Sequence, residues 1–243
     1  MRVVVTRPAV AGAVTVQKLL AAGHEAIPLP LFHAEHVLTE DSARTLHDFG
    51  ALILTSAEAV RALQAAGVSL SDFQGKVFAV GKATARAACG IGCRKIEVAE
   101  GDGAALAGLI AARIQPAQGP LLYLAGETRS SVLERSLEEA GFSVVVRVAY
   151  RMVETVYTKE ELRSLLLSGH ETVILLYSRQ NALRFRALLD AAGLTEAARR
   201  FTFLCLSAAI ADVLDGLASS GTMVAPERSE ETLLALLPPV AGR

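Results

Sequence analysis

Short apolar runs rich in β-branched residues alternate with Ala/Leu-rich stretches of helical period along the whole chain. Val3–Val5 predicts a strand that leads into a helix from about Pro8 to Ala22. Pro8 suits a first turn, where its missing N–H is not needed, and Gly23 can end the helix. Further strands are predicted over 25–29, 51–54, 77–80, 95–98, 121–124 and 142–148. Helices are predicted between them over 57–66, 83–89, 103–114 and 130–140. The pattern resumes with strands over 172–176, 201–205 and 222–224. Helices follow these over 181–192, 208–217 and 230–237, the last capped by Ser229. Alternation of this kind implies an α/β fold, with parallel sheets covered by helices on both faces.

About ten strands are too many for one small doubly wound sheet. Two interruptions suggest how to divide them. Pro28–His33 is held extended by its prolines, and Ala149–Val153 follows a strand and precedes a polar run. Crossing at both places gives an inserted lobe, 35–151, and a discontinuous lobe, 1–34 with 152–243. A single cut near residue 120 fits the periodicity equally well. Leu52–Val60 is similar to Ile174–Ala182, which suits two related lobes and equally suits generic βα units.

Composition narrows the function classes. The 243 residues carry 24 basic and 25 acidic side chains, a net charge of −1. No basic field for nucleic acid or an anionic membrane follows from that balance. The longest apolar stretch, Phe201–Ala211, stops at Asp212, well short of the roughly 18 residues of a membrane span. Lys18 interrupts the first apolar stretch, so no secretory leader is expected. Cys89, Cys93 and Cys205 read as reduced thiols of a cytoplasmic protein and lack zinc-ligand spacing. No metal site is expected; His33 and His36 lie on an interlobe segment without a third ligand.

The chemistry lies in the placement of hydroxyls. Thr6, Thr55 with Ser56, Thr84, Thr128, Ser178 and Ser207 all fall at predicted strand-to-helix turns. In doubly wound folds ligands bind at the carboxyl ends of the strands, where helix N-termini offer N–H groups. Several such turns on one cleft would receive carboxylates or phosphates; each alone reads as a helix cap. Arg greatly outnumbers Lys, and Arg7 and Arg129 sit just after strands, within reach of an anionic ligand. Tyr150 stands at the second lobe crossing with a phenol able to donate a proton. Dinucleotide, P-loop and nucleophile-elbow fingerprints are absent.

Six segments in order resemble the uroporphyrinogen-III synthase family: Val4–Pro8, Leu54–Val60, Val80–Ala85, Leu124–Arg129, Val148–Tyr150 and Val224–Pro226. The resemblance implies two flavodoxin-like, doubly wound parallel-sheet lobes joined by a two-stranded connection. It implies conversion of hydroxymethylbilane, a linear tetrapyrrole with eight carboxylates, to uroporphyrinogen III. Water leaves the terminal hydroxymethyl group and the last pyrrole ring is inverted through a spiro intermediate, with no cofactor. Tyr150 aligns with the tyrosine that assists hydroxyl departure. Thr6, Arg7, Ser56, Thr84, Arg129, Ser178 and Ser207 are the expected substrate contacts. The turn over 206–211 departs from the family pattern, lacking both its Gly and its Thr. The expected partner is hydroxymethylbilane, with a transient contact to the preceding pathway enzyme, for a cytoplasmic monomer that meets neither nucleic acid nor membrane. The competing class is a non-catalytic two-lobe protein that binds an anionic ligand.

Overall fold

The computed structural model describes residues 1–41, 45–167, 171–217 and 221–238. The strands are β1 (Arg2–Val5), β2 (Glu25–Pro28), β3 (Phe32–His36), β4 (Ala51–Leu54), β5 (Lys76–Val80) and β6 (Ile96–Ala99). They continue with β7 (Leu121–Gly126), β8 (Val144–Glu154), β9 (Thr172–Leu176), β10 (Phe201–Cys205) and β11 (Thr222–Val224). The chain divides into two compact units, Met1–His33 with Val153–Arg243, and Ala34–Met152.

In the first unit the sheet order is β11-β10-β9-β1-β2, with parallel pairing throughout. Counted along the unit's own strands this is 2-1-3-4-5 read from the β2 edge, the flavodoxin order, and its switch point lies between β1 and β9. In the second unit the order is β3-β8-β7-β4-β5-β6. The pairs from β6 through β8 are parallel, and the switch point lies between β4 and β7.

The strand sequences follow from burial on both faces. Every residue of β4 is buried. Leu52 and Leu54 point toward Ala59, Val60 and Leu63 of the helix Ala57–Ala65. Ala51 and Ile53 point the other way, toward Leu106 and Ile110 of the helix Gly103–Arg113. A strand sandwiched in this way carries a continuous apolar run. In the first unit Phe185, Phe203 and Leu189 are fully buried, each worth about 1.5–3 kcal/mol of transfer free energy.

Three stretches differ from the sequence expectation. Phe32–His36 is a strand, β3, at the sheet edge beside β8, and β8 itself runs on to Glu154. The polar run after Val153 contains a helix, Lys159–Leu166. Thr158 and Glu161 form a reciprocal capping box at its start, and Leu162 and Leu166 are buried. The helix expected over 208–217 stops at Ala211 and tightens into a single turn at Asp212–Leu214. Arg186 takes the Val213 carbonyl at 2.8 Å, and Gly216, at φ 80°, redirects the chain. No helix among the described residues is long and apolar enough to cross a membrane.

Candidate functional site

A pocket of about 340 Å³ opens in the second unit at the carboxyl ends of its strands. Thr55 and Ser56 enter it from the end of β4, Val80 from β5, Asp102 and Gly103 from beyond β6, and Gly126 with Thr128–Ser130 from β7. This is the switch point of that sheet. Chain connections diverge there and leave a crevice that side chains and helix N-termini line. Six hydroxyls face it: Thr55, Ser56, Tyr123, Thr128, Ser130 and Tyr150.

Local structure fixes several of these groups. Ser56 caps the helix Ala57–Ala65, accepting from the Glu58 N–H at 2.9 Å. Thr55 and Tyr123 share a hydrogen bond of 3.0 Å between their hydroxyls. Burial pushes the Tyr123 phenol above its ordinary pKa despite that bond, so it stays protonated. The Asp102 carboxylate accepts from Ala104 and Ala105 N–H at 3.0 and 3.2 Å, so its charge is committed to capping a helix. Arg129 donates to Glu134 at 2.8 Å while its side chain remains about 29% exposed.

Tyr150 is placed by an irregularity. β8 runs parallel to β7 in step as far as Ala125 opposite Val148, and then Gly126 stands opposite Tyr150. Ala149 is the extra residue of this bulge and turns fully into the core. The phenol ring lies directly over Gly126. A Cβ at that position would meet Tyr150 Cζ at 2.9 Å and Oη at 3.0 Å. Glycine at 126 is what allows the ring to lie there.

The structure brings together Ser56, Arg129 and Tyr150 of the expected site residues. The others are not among the residues that line this pocket. Thr84 is buried within the helix Gly81–Gly90 and does not line the pocket. Thr6, Arg7, Ser178 and Ser207 belong to the first unit. Thr6 is fully buried, and its hydroxyl donates to the Leu175 carbonyl at 2.6 Å. Asn181 fills the same crevice, donating to the Thr6 carbonyl at 3.0 Å. Ser178 caps the helix Arg179–Ala192 and donates to Asn181 Oδ1 at 2.7 Å. Arg7 pairs with Glu230 at 2.6 Å and lies 4.6 Å from the centre of the Tyr177 ring. Burial and the Glu230 charge push the Tyr177 phenol up to about 12. Ser207 stands at the start of the helix Ala208–Ala211 and makes no capping bond to it.

Sequence reasoning missed Tyr123 and Asp102. Tyr123 lies inside an apolar strand, where a ring reads as core. Asp102 before Gly103 carried an N-cap signal that was available. The two histidines of the interlobe segment do not share a partner: His33 is 3.5 Å from Thr155 Oγ1, and His36 is 2.8 Å from Glu58. Among the described residues no group of three metal-ligating side chains is assembled.

Two doubly wound units made from an interrupted chain, one with a hydroxyl-lined crevice at its switch point, define a two-unit α/β protein. The same fold occurs in a uroporphyrinogen-III synthetase from Helicobacter pylori, at 19% identity and TM-score 0.64, covering 97% of this chain and 96% of that one. It occurs in a mutant uroporphyrinogen III synthase from the extremely thermophilic bacterium Thermus thermophilus, at 20% identity and TM-score 0.51, with coverage of 97% and 96%. No curated protein matches the chain. Residues 13–235 match the family described as uroporphyrinogen-III synthase HemD, and the chain belongs to that family.

Proposed function

We propose that the protein cyclises hydroxymethylbilane to uroporphyrinogen III, with loss of one water and inversion of the last pyrrole ring. The observation that carries this reading is the Tyr150 phenol, held over Gly126 in a hydroxyl-lined pocket of a chain that belongs to this family. Family membership favours the synthase over a non-catalytic anion binder.

In the proposed reaction the pyrrole nitrogen lone pair expels the terminal hydroxyl. The C–O bond breaks, and Tyr150 gives its proton so that water leaves. Closure first forms a carbon–carbon bond at the substituted α-carbon of the last ring, giving the spiro intermediate. The older methylene bond to that carbon then breaks, the freed methylene carbon bonds the ring's unsubstituted α-carbon, and the proton lost there returns to the tyrosinate. The step balances with no co-substrate. Because the activated chain closes unaided to the uninverted isomer, the enzyme's contribution is chiefly positioning.

Ser56 and Arg129 are the proposed carboxylate contacts in the pocket. Ser207 is kept as a contact because its hydroxyl is not spent on its own helix. Thr6 and Thr84 are assigned structural roles, since their side chains are buried, whereas Arg7 and Ser178, paired within the fold as Ser56 and Arg129 also are, remain proposed contacts of the first unit. The protein is proposed to act as a cytoplasmic monomer and to take its substrate through transient contact with the preceding enzyme. A labile substrate is lost less when handed over quickly. The test is turnover with hydroxymethylbilane and isomer analysis of the oxidised products. A product that is mostly type III is expected; the type I ratio of the uncatalysed reaction would overturn the proposal.

A further inference from the structure

His36 and Glu58 lie outside the pocket and have no part in the reaction above. β3 and β8 are neighbours in the sheet. Val37 N–H donates to the Ala149 carbonyl at 3.0 Å, and Thr155 N–H donates to the Leu31 carbonyl at 2.9 Å. Moving up one strand while moving down the other, these bonds define an antiparallel ladder. Across it the Arg151 guanidinium donates to both oxygens of the Glu35 carboxylate, at 2.9 and 3.0 Å. The rung between 35/151 and 37/149 is His36 opposite Tyr150. Rungs of this kind are the non-hydrogen-bonded ones, with Cα atoms about 4.5 Å apart and both side chains on one face. Tyr150 thus has Gly126 on one neighbouring strand and His36 on the other.

The face is the one covered by the helix Ala57–Ala65, since Tyr150 and Leu38 pack against the core cluster to which Ala59, Val60 and Leu63 of that helix belong. From the same helix Glu58 reaches His36 Nε2 at 2.8 Å. Arg61 holds the other Glu58 oxygen through Nε at 3.0 Å. Burial opposes the Glu58 charge, but bonds from Arg61 and His36 outweigh it and hold the carboxyl below its ordinary pKa. The charged groups facing His36 are Glu58 and Arg61 from the helix, with Tyr150 from β8. The Glu35–Arg151 pair occupies the next rung, and Arg147 is turned to Thr45 Oγ1 at 2.7 Å.

We infer that His36, oriented by Glu58, is a positioning residue for Tyr150: it backs the Tyr150 side chain from the β3 side and so keeps the ring over Gly126. The inference rests on the reading of Tyr150 given above.

The test measures type III formation by the full-length protein, corrected for uncatalysed closure. His36→Gln should lower kcat about 3–10-fold with KM unchanged, less than the usual general-acid contribution. Combined with Tyr150→Phe, the same substitution should cost nothing further. Glu58→Gln, which loosens the hold on the His36 ring, should lower kcat in the same way, and it carries the test if His36→Gln does not fold. An unchanged kcat in both variants, or a further loss when His36→Gln is added to Tyr150→Phe, overturns the inference while Tyr150→Phe remains impaired. Full activity in Tyr150→Phe instead overturns the reading of Tyr150 itself.

Discussion

The two units place opposite contents in the same topological position. At the first unit's switch point, Thr6 follows β1 and Ser178 follows β9, and Asn181 fills the space between them. Thr6 donates to Leu175, Asn181 donates to Thr6, and the crevice is closed by polar groups satisfying one another. At the second unit's switch point, Thr55 follows β4 and Gly126 ends β7, and the space is left open. There Thr55 finds Tyr123, and Tyr150 lies over a residue with no side chain. One fold position is thus filled by Asn181 in one unit and left open in the other.

The sharpest way to break this comparison is at Tyr150. Tyr150→Phe keeps the ring over Gly126 and removes only the hydroxyl. Turnover should fall by about 10–1,000-fold, equivalent to about 1.4–4 kcal/mol in barrier, with unfolding unchanged. Steady-state kinetics beside thermal unfolding checks it, and wild-type turnover would end the catalytic assignment.

Gly126→Ala tests the same placement through packing. Its Cβ would lie 2.9 Å from Tyr150 Cζ, so the ring must move. A loss of about 1–3 kcal/mol of stability is expected from overpacking, together with reduced turnover. An alanine variant as active and as stable as the wild type would show that the ring position is not required.

Asn181→Ala probes the first unit's crevice. It removes the 3.0 Å bond to the Thr6 carbonyl, which keeps the Leu31 N–H at 3.3 Å, and so should cost about 0.5–1.5 kcal/mol. The type III fraction should be unchanged. A lowered fraction at full folding would give this crevice a role in the reaction.

Much of the contrast was legible from residues. Strands such as Ala51–Leu54 and Thr172–Leu176 appear where their continuous apolar runs predicted, because burial on both faces leaves no alternative. Helix Lys159–Leu166 was missed because its apolar face is narrow, although Thr158 and Glu161 spell a capping box. β3 was missed because Phe32–His36 is an edge strand with mostly exposed or half-exposed side chains. In the site, Ser56, Arg129 and Tyr150 were legible from position. The engagement of Thr6 and Arg7 was not, because their partners lie 169 and 223 residues away at Leu175 and Glu230. Long-range pairing leaves no local pattern in a single chain.

A smaller effect concerns Glu230, which gathers Arg7, Lys18 and Thr15 onto the last helix. Burial raises its pKa, but the bonds from Lys18 and Thr15 and the Arg7 and Lys18 charges win and lower it below 4.5. A depressed native pKa contributes stability above the unfolded value and loses it as pH falls through the folded one. Glu230→Gln should therefore destabilise the protein near pH 7 by about 1–2 kcal/mol, and the gap should close below pH 4.5. Denaturant midpoints at pH 7 and pH 4 check the sign, and a gap that widens toward acid would contradict it.

The most direct measurement is the type III fraction formed from hydroxymethylbilane by the wild type, Tyr150→Phe and Asn181→Ala at equal folded concentration. An open reactive crevice in the second unit and a closed structural one in the first predict mostly type III from the wild type and from Asn181→Ala. They predict slow turnover from Tyr150→Phe, with the type I share rising as uncatalysed closure competes. Full type III production by Tyr150→Phe, or its loss in a folded Asn181→Ala, would contradict that division of labour.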